Sequence, residues 1–118
     1  VWKMATEIGH RVADLADGID SLGKTSFANQ LREVSYRISG ILAEGSSCPT
    51  KPEFAVFVSH ARGATLEIAN LIIFFSEREL ISEEDESNLV NMLKRESKML
   101  DNFRQSLERA GKPNPVGA

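Results

Sequence analysis

The sequence predicts an all-α protein, an antiparallel up-down four-helix bundle. Apolar residues recur three or four positions apart through four long segments, which is the period of a helix, and no segment alternates as a strand does. The connections between these segments are short, and short connections join antiparallel neighbours. A chain of 118 residues is long enough for one domain with its own core and too short for two.

The predicted helices cover residues 1–20, 26–44, 51–76 and 83–110, and together they form one domain, 1–111. Thr25 or Ser26 can cap the start of the second helix. Gly45 can end that helix, because glycine accepts the left-handed conformation. Residues 112–118 follow a glycine and contain two prolines, so we predict a flexible tail there.

Capping signals mark the starts of the third and fourth helices. Thr50 and Glu53 have the spacing of a capping box, and so do Ser82 and Asp85. The acidic residues 83–86 lie where the dipole of the fourth helix favours negative charge. Both helices therefore have a predicted first residue as well as a predicted apolar stripe.

Bulk composition narrows the classes of function. The net charge of −3 argues against a dedicated nucleic-acid binder, although a local basic face remains compatible with it. No apolar run exceeds the length of 71–75, which is far below the roughly 18 residues that span a bilayer, so we expect no membrane partner. One cysteine, Cys48, cannot form an internal disulfide, which fits a cytoplasmic location.

Residues 18–25, GIDSLGKT, match the phosphate-loop pattern letter for letter. That loop binds phosphate because it joins a buried strand to a helix and wraps the phosphates with backbone N–H groups. Here a segment with helical period precedes the string, and no second strand is available to carry a magnesium-binding aspartate. We therefore interpret residues 18–25 as a connection between two helices.

Two further residues could suggest chemistry. His60 lies two turns, roughly 10 Å, from Glu53 and from Glu67, so the three cannot share one metal ion. A polar flank or interhelix hydrogen bonds are favoured over a metal site built with other helices. Cys48 has no histidine near it in sequence, so an ordinary thiol is favoured over a catalytic one. We predict no catalytic residue, no cofactor and no metal.

Glu96 falls near the middle of the apolar stripe of the fourth helix, where a carboxylate needs a partner or a raised pKa. Arg37 could pair with Glu67, with Glu96 or with Glu33. These residues indicate a polar layer that fixes helix register, or an intersubunit bond, and a catalytic carboxylate is the alternative. The candidate members of the layer are Gln30, Arg37, Glu44, Glu67 and Glu96.

The fourth helix also carries a basic face opposite its apolar stripe, within an arc of about 100°. This face is the best candidate for contacts to phosphate, and its members are Lys94, Arg95, Lys98 and Arg109. The alternative is a solvated face whose cations favour the C-terminal half of a helix. No aromatic residue is interleaved to stack on bases.

The third helix has more apolar residues than one stripe can hold. Ile73 and Phe74 lie beside Ile72 and Phe75, and one helix cannot turn all four toward its own core. We therefore predict a surface that contacts a second copy of the chain. Its candidate members are Trp2, Tyr36, Ile73 and Phe74.

Residues 30–45, QLREVSYRISGILAEG, resemble the Q-x-R-R-A-A-x-S-I-x-x-N-I-A-E-G signature of the four-helix bundle proteins encoded by intervening sequences of 23S ribosomal RNA. Residues 53–54 and 61–67 are similar to that family's E-F and A-x-G-S-x-x-E-L elements, and residues 1–5 to its V-W-x-x-A opening. The chain departs from the pattern at Glu33, Ile41 and Ala64, where the family has arginine, asparagine and serine.

The resemblance implies a cytosolic homo-oligomer, a pentameric ring of bundles, and it implies no established biochemical role. A relative of similar fold, the accessory variability determinant of diversity-generating retroelements, binds nucleic acid and a reverse transcriptase, but it is strongly basic and this chain is not. Our leading hypothesis is a non-enzymatic oligomeric scaffold that binds a macromolecular partner. The alternatives are a nucleic-acid-binding module that uses the basic face, and an enzyme with buried carboxylates.

Overall fold

The computed structural model describes residues 1–111 and contains helices and no strand in that range. The helices are α1 (Trp2–Asp20), α2 (Thr25–Val34), α3 (Arg37–Gly45), α4 (Lys51–Glu77) and α5 (Glu83–Ala110). Two residues separate α2 from α3, and these two are the halves of one interrupted helix. The fold is therefore all-α with four helices. The predicted tail, 112–118, lies outside the described residues.

The prediction of a continuous second helix is wrong, because the helix is interrupted at Ser35 and Tyr36. The Ser35 hydroxyl donates to the carbonyl oxygen of Arg32 at 2.8 Å, and the Ser39 hydroxyl donates to that of Tyr36 at 3.2 Å. Serine hydroxyls that bond back to the preceding turn compete with the helical ladder and bend it. Tyr36, with φ −106° and ψ 7°, starts α3 from outside the helical region.

The interruption lies where α1 crosses the interrupted helix. A Cβ atom placed on Gly9 would lie 2.3 Å from the carbonyl oxygen of Ser35, so only a glycine permits this approach of the two backbones. Helix α1 contacts both α2 and α3. The close crossing and the interruption therefore occupy the same place in the fold.

The core is one apolar cluster to which every helix contributes. Helix α4 contacts α3 and α5, and α1 contacts α2, α3 and α5. Two edge-to-face aromatic pairs, each with ring centroids 5.3 Å apart, lie at opposite ends of α4. Phe27 of α2 meets Phe75, and Phe103 of α5 meets Phe54. Such pairs add to the stabilisation from buried area alone.

The caps decide where α4 and α5 begin. The Thr50 hydroxyl accepts from the backbone N–H of Glu53 at 3.3 Å, and the Ser82 hydroxyl accepts from that of Asp85 at 3.1 Å. Both predicted caps are confirmed. The predicted cap of α2 at Thr25 or Ser26 is wrong, because the helix starts one residue earlier, after Lys24, without a side-chain cap.

Gly45 ends α3, but not through the left-handed conformation that we predicted. In residues 1–111 the positive φ angles belong to Gly23 and Glu79. A Cβ atom on Gly45 would lie 2.5 Å from the Cβ atom of Phe57, so the glycine lets α3 and α4 approach closely. The reason for a glycine at this position is therefore packing between helices.

Within the part of the chain that the structure covers, no helix combines the length and the apolar character that crossing a membrane requires.

We predict that Gly9→Ala lowers the free energy of unfolding by about 1–3 kcal/mol, because the added methyl group meets the fixed backbone oxygen of Ser35. Chemical denaturation measures the change. Gly40→Ala is the matched control, since no atom of the described residues lies within 4 Å of a Cβ atom there, and it should raise stability by up to about 1 kcal/mol. Equal stabilities of the two variants would contradict the close crossing.

Candidate functional site

Glu96 is the most unusual polar residue of the core. Its side chain is 0% exposed, and neither carboxylate oxygen has a hydrogen-bond partner within residues 1–111. Leu89, Leu93 and Leu100 of the same helix are buried with it. Ser97, the next residue, accepts a hydrogen bond from the Nε of Arg62 at 3.2 Å, which joins α5 to α4 beside the buried carboxyl group. The inward position predicted for Glu96 is confirmed.

Burial raises the pKa of Glu96 to about 7, because an ionised carboxylate loses its hydration in the core. The folded protein therefore favours the neutral acid. A carboxyl group of this kind can serve as a proton donor, but no second titratable group is hydrogen-bonded to it in the described chain.

The five candidate members of the polar layer do not form one connected group. Arg37 of α3 forms an ion pair with Glu67 of α4, and both side chains are partly exposed. Gln30 and Glu44 lie exposed on α2 and α3, so they face solvent, whereas Glu96 lies in the core. The ion pair fastens α3 to α4, and the intersubunit role of Gln30 and Glu44 stays a prediction.

The predicted basic face lies on α5 and is open to solvent. None of its four residues forms an ion pair with another part of residues 1–111, and all are exposed; they are Lys94, Arg95, Lys98 and Arg109. Arg104 of the same helix differs, because it is held by Asp101 at 2.9 Å and Glu108 at 2.8 Å. The structure therefore distinguishes Arg104, which ion pairs hold in place, from the four residues of the basic face, which form no ion pair within residues 1–111.

Arg95 also lines an open groove between α1 and α5, which we call the α1–α5 groove. Its other lining residues are Arg11, Asn88, Asn91 and Met92. Arg11 was not among the residues predicted from the sequence, because periodicity within one helix does not tell which residue of another helix lies opposite. Asn88, Asn91 and Arg95 share one side of α5 by their spacing of three and four residues, which was the available signal.

Helix α4 has an exposed apolar side, which we call the outer face of α4. Its large residues are Val56, Leu66, Ile73 and Phe74, with exposed fractions of 54, 56, 38 and 51%. They fall within an arc of about 100° and extend over about 27 Å of helix. Ile73 and Phe74 were predicted here, and Val56 and Leu66 were missed. Trp2 and Tyr36 are also exposed, outside α4.

The remaining sequence candidates form no site within the part of the chain described. The phosphate-loop string, 18–25, spans the end of α1 and the turn to α2, and Gly23 there has φ 78°. His60 is exposed and lies near the Phe57 ring, 6.1 Å between centroids. Cys48 is a free, half-buried thiol. Residues 1–111 contain no group of three or more His, Cys, Asp or Glu side chains that could hold a metal.

Four helices, a buried unpaired carboxyl group and an exposed apolar helix face define a small helical-bundle protein. The family model described as 23S rRNA-intervening sequence protein matches residues 1–102. This match covers most of the chain, so the chain belongs to that family, as its sequence motifs indicated. The family has no assigned function. Neither the curated proteins nor the solved structures gave a match to the chain.

We predict that the burial of Glu96 makes stability depend on pH. The pKa is about 4.5 when the chain is unfolded and about 7 when it is folded. The contribution of Glu96 to the free energy of unfolding is therefore largest below pH 4.5. It falls by about 3 kcal/mol in all as the pH rises toward 7. Glu96→Gln, which cannot ionise, should remove this fall. Chemical denaturation at several pH values gives the difference between variant and parent.

Glu44→Gln is the control for this measurement, because Glu44 is exposed on α3. Its stability should follow the parent protein across the same pH range. A parallel pH profile for Glu96→Gln and the parent would show that the buried carboxyl group does not titrate in this window.

Proposed function

We propose that this protein is a non-enzymatic cytoplasmic scaffold, a homo-oligomer whose subunits associate through the outer face of α4 and which binds a macromolecular partner. The observation that carries the proposal is the apolar character of α4 on two sides. Val58, Ile68 and Ile72 are fully buried on its inner side. The outer face carries large apolar side chains as well, and an exposed apolar surface of this kind marks a site of contact with another protein.

The polar residues of the outer face support this use. Glu67 is engaged by Arg37, and Asn70 and Ser59 are small uncharged residues. The remaining charge on this side is Glu77, the last residue of the helix. Gly63 lies on the same side, and no atom of residues 1–111 lies within 4 Å of a Cβ atom placed there. Glycine inside a helix costs about 1 kcal/mol relative to alanine. No contact within residues 1–111 explains that cost, whereas close approach of a second copy would.

An antiparallel up-down order of the helices is part of the proposal. The connections Ser21–Lys24 and Arg78–Ser82 have four and five residues, and each joins two helices that contact one another. Connections of this length join antiparallel neighbours in helical bundles. Helix α4 lies along the length of such a subunit, so its outer face is open to a neighbouring copy.

A closed ring, which the family resemblance implies to be pentameric, requires two different surfaces that fit each other. A second apolar surface lies at the end of the bundle that holds the start of α1. It is a groove of about 350 Å³, lined by Val1, Trp2, Leu42, Ala43, Ser46, Phe54 and Phe103. We propose that side chains of the outer face of α4 enter this groove of the neighbouring subunit.

The test is to replace two apolar residues of the outer face by acids, in the double variant Leu66→Glu/Phe74→Glu. The parent protein should elute as an oligomer at micromolar concentration, at five times the monomer mass by light scattering. The double variant should be a folded monomer, because charge on a buried face opposes association. Circular dichroism checks that the helices remain.

Leu22→Glu is the matched control, because Leu22 is equally exposed but lies in the turn after α1. It should leave the oligomer intact. A monomeric parent protein at micromolar concentration would contradict the proposed oligomer. If both variants remained oligomeric, the outer face of α4 would not be the interface.

A further inference from the structure

We propose that the α1–α5 groove binds the phosphodiester backbone of double-stranded nucleic acid. This inference rests on the proposed scaffold function, because it names the class of the partner. It differs from the basic face predicted from sequence, since it adds a cation of α1 and two carboxamides. The juxtaposition that carries it is two guanidinium groups from two helices, Arg11 and Arg95, that line one open groove with Asn88 and Asn91.

The arginines of the chain differ in whether ion pairs hold them in place. Three arginines are committed to structural ion pairs: Arg32 with Asp17 and Asp20, Arg37 with Glu67, and Arg104 with Asp101 and Glu108. Arg95 has no ion pair within residues 1–111. Arg11 has one exposed pair, with Glu7 of its own helix at 3.5 Å. Exposed pairs of this kind contribute little, so a phosphate can replace Glu7 readily.

The side chains that line the groove suit an anionic ligand. No carboxylate lines it, and its base is the thioether side chain of Met92, which is largely buried. Guanidinium groups donate two parallel hydrogen bonds to phosphate oxygens, and asparagine amides add single donors. Asp14 and Asp85 line the neighbouring groove toward the start of α5, together with Arg11. They bound the anion site on that side.

The surroundings favour a long polyanion over a single phosphate. Lys94 and Lys98 lie beside Arg95 on the exposed side of α5. Arg109 lies about 22 Å from Lys94 along the helix. A row of cations of this length matches several successive phosphates. Arg95 lines the groove and also belongs to this row, so one continuous backbone can contact both the groove and the row.

No aromatic side chain of residues 1–111 lines the α1–α5 groove, which favours a duplex over a single strand. Phe103 is the aromatic residue of α5, and it is packed on Phe54 rather than exposed. Proteins that hold single strands stack bases on aromatic side chains. With cations and amides alone, the groove contacts phosphates and reads no sequence. RNA and DNA duplexes should therefore bind with similar affinity.

The experiment is fluorescence anisotropy with the full chain and a short labelled duplex, of RNA or of DNA, at about 50 and 200 mM salt. The double variant Arg11→Gln/Arg95→Gln should raise Kd about tenfold or more at the lower salt concentration. Its plot of log affinity against log salt should be less steep by about two. Both replaced residues are exposed, so circular dichroism should be unchanged.

Lys3→Gln/Lys51→Gln is the matched control, because it removes the same charge from exposed positions outside the groove. It should change Kd less than twofold. If both double variants weakened duplex binding equally, the effect would come from net charge alone and the proposed site would be wrong. Tighter binding of a single strand than of a duplex, or displacement by polyglutamate as efficient as by unlabelled duplex, would also overturn it.

Light scattering on the same samples separates this inference from the assembly proposal. An oligomeric protein that binds no duplex at the lower salt concentration overturns the groove and leaves the assembly in place. A monomeric protein whose duplex binding is lost in Arg11→Gln/Arg95→Gln supports the groove and overturns the assembly.

Discussion

The long helix α4 sets the constraint on which the rest of the structure depends, because it is apolar on two sides. Its inner side packs against α3 and α5 and supplies much of the core. The Phe27–Phe75 and Phe54–Phe103 pairs join its two ends to α2 and α5. The bundle is complete as a fold when this inner side is covered. The outer face still leaves large apolar side chains in water, which is the physical basis for proposing a second subunit there.

The net charge of −3 does not describe where the charged residues lie in the structure. Carboxylates and arginines meet in pairs that fasten helix to helix, as Arg32 does with Asp17 and Asp20 and Arg37 with Glu67. Four cations that lack such partners within residues 1–111 lie together on the exposed side of α5, and they are Lys94, Arg95, Lys98 and Arg109. Net charge therefore says little about this protein's surface, because an acidic chain can present a local row of free cations.

Sequence periodicity predicted the helical segments well because each apolar stripe is a property of one segment. The inward position of Glu96 followed from the same rotation of 100° per residue. The interruption at Ser35 and Tyr36 did not follow, because Val34, Ile38 and Leu42 keep the helical period across it. What matters there is the approach of Gly9 from another helix. Arg11 escaped prediction for the same reason, since its meeting with Arg95 depends on how two helices pack.

The interruption of the second helix also bears on the order in which the chain folds. Helices α2 and α3 have 10 and 9 residues, and isolated helices of that length are marginal in water. Helices α4 and α5 have 27 and 28 residues and are joined by a short turn, so their contacts are local and close early. We expect the pair of helices α4 and α5 to form the folding nucleus. The two short helices would then become ordered only as α1 docks, with the Gly9 crossing among the last native contacts to form.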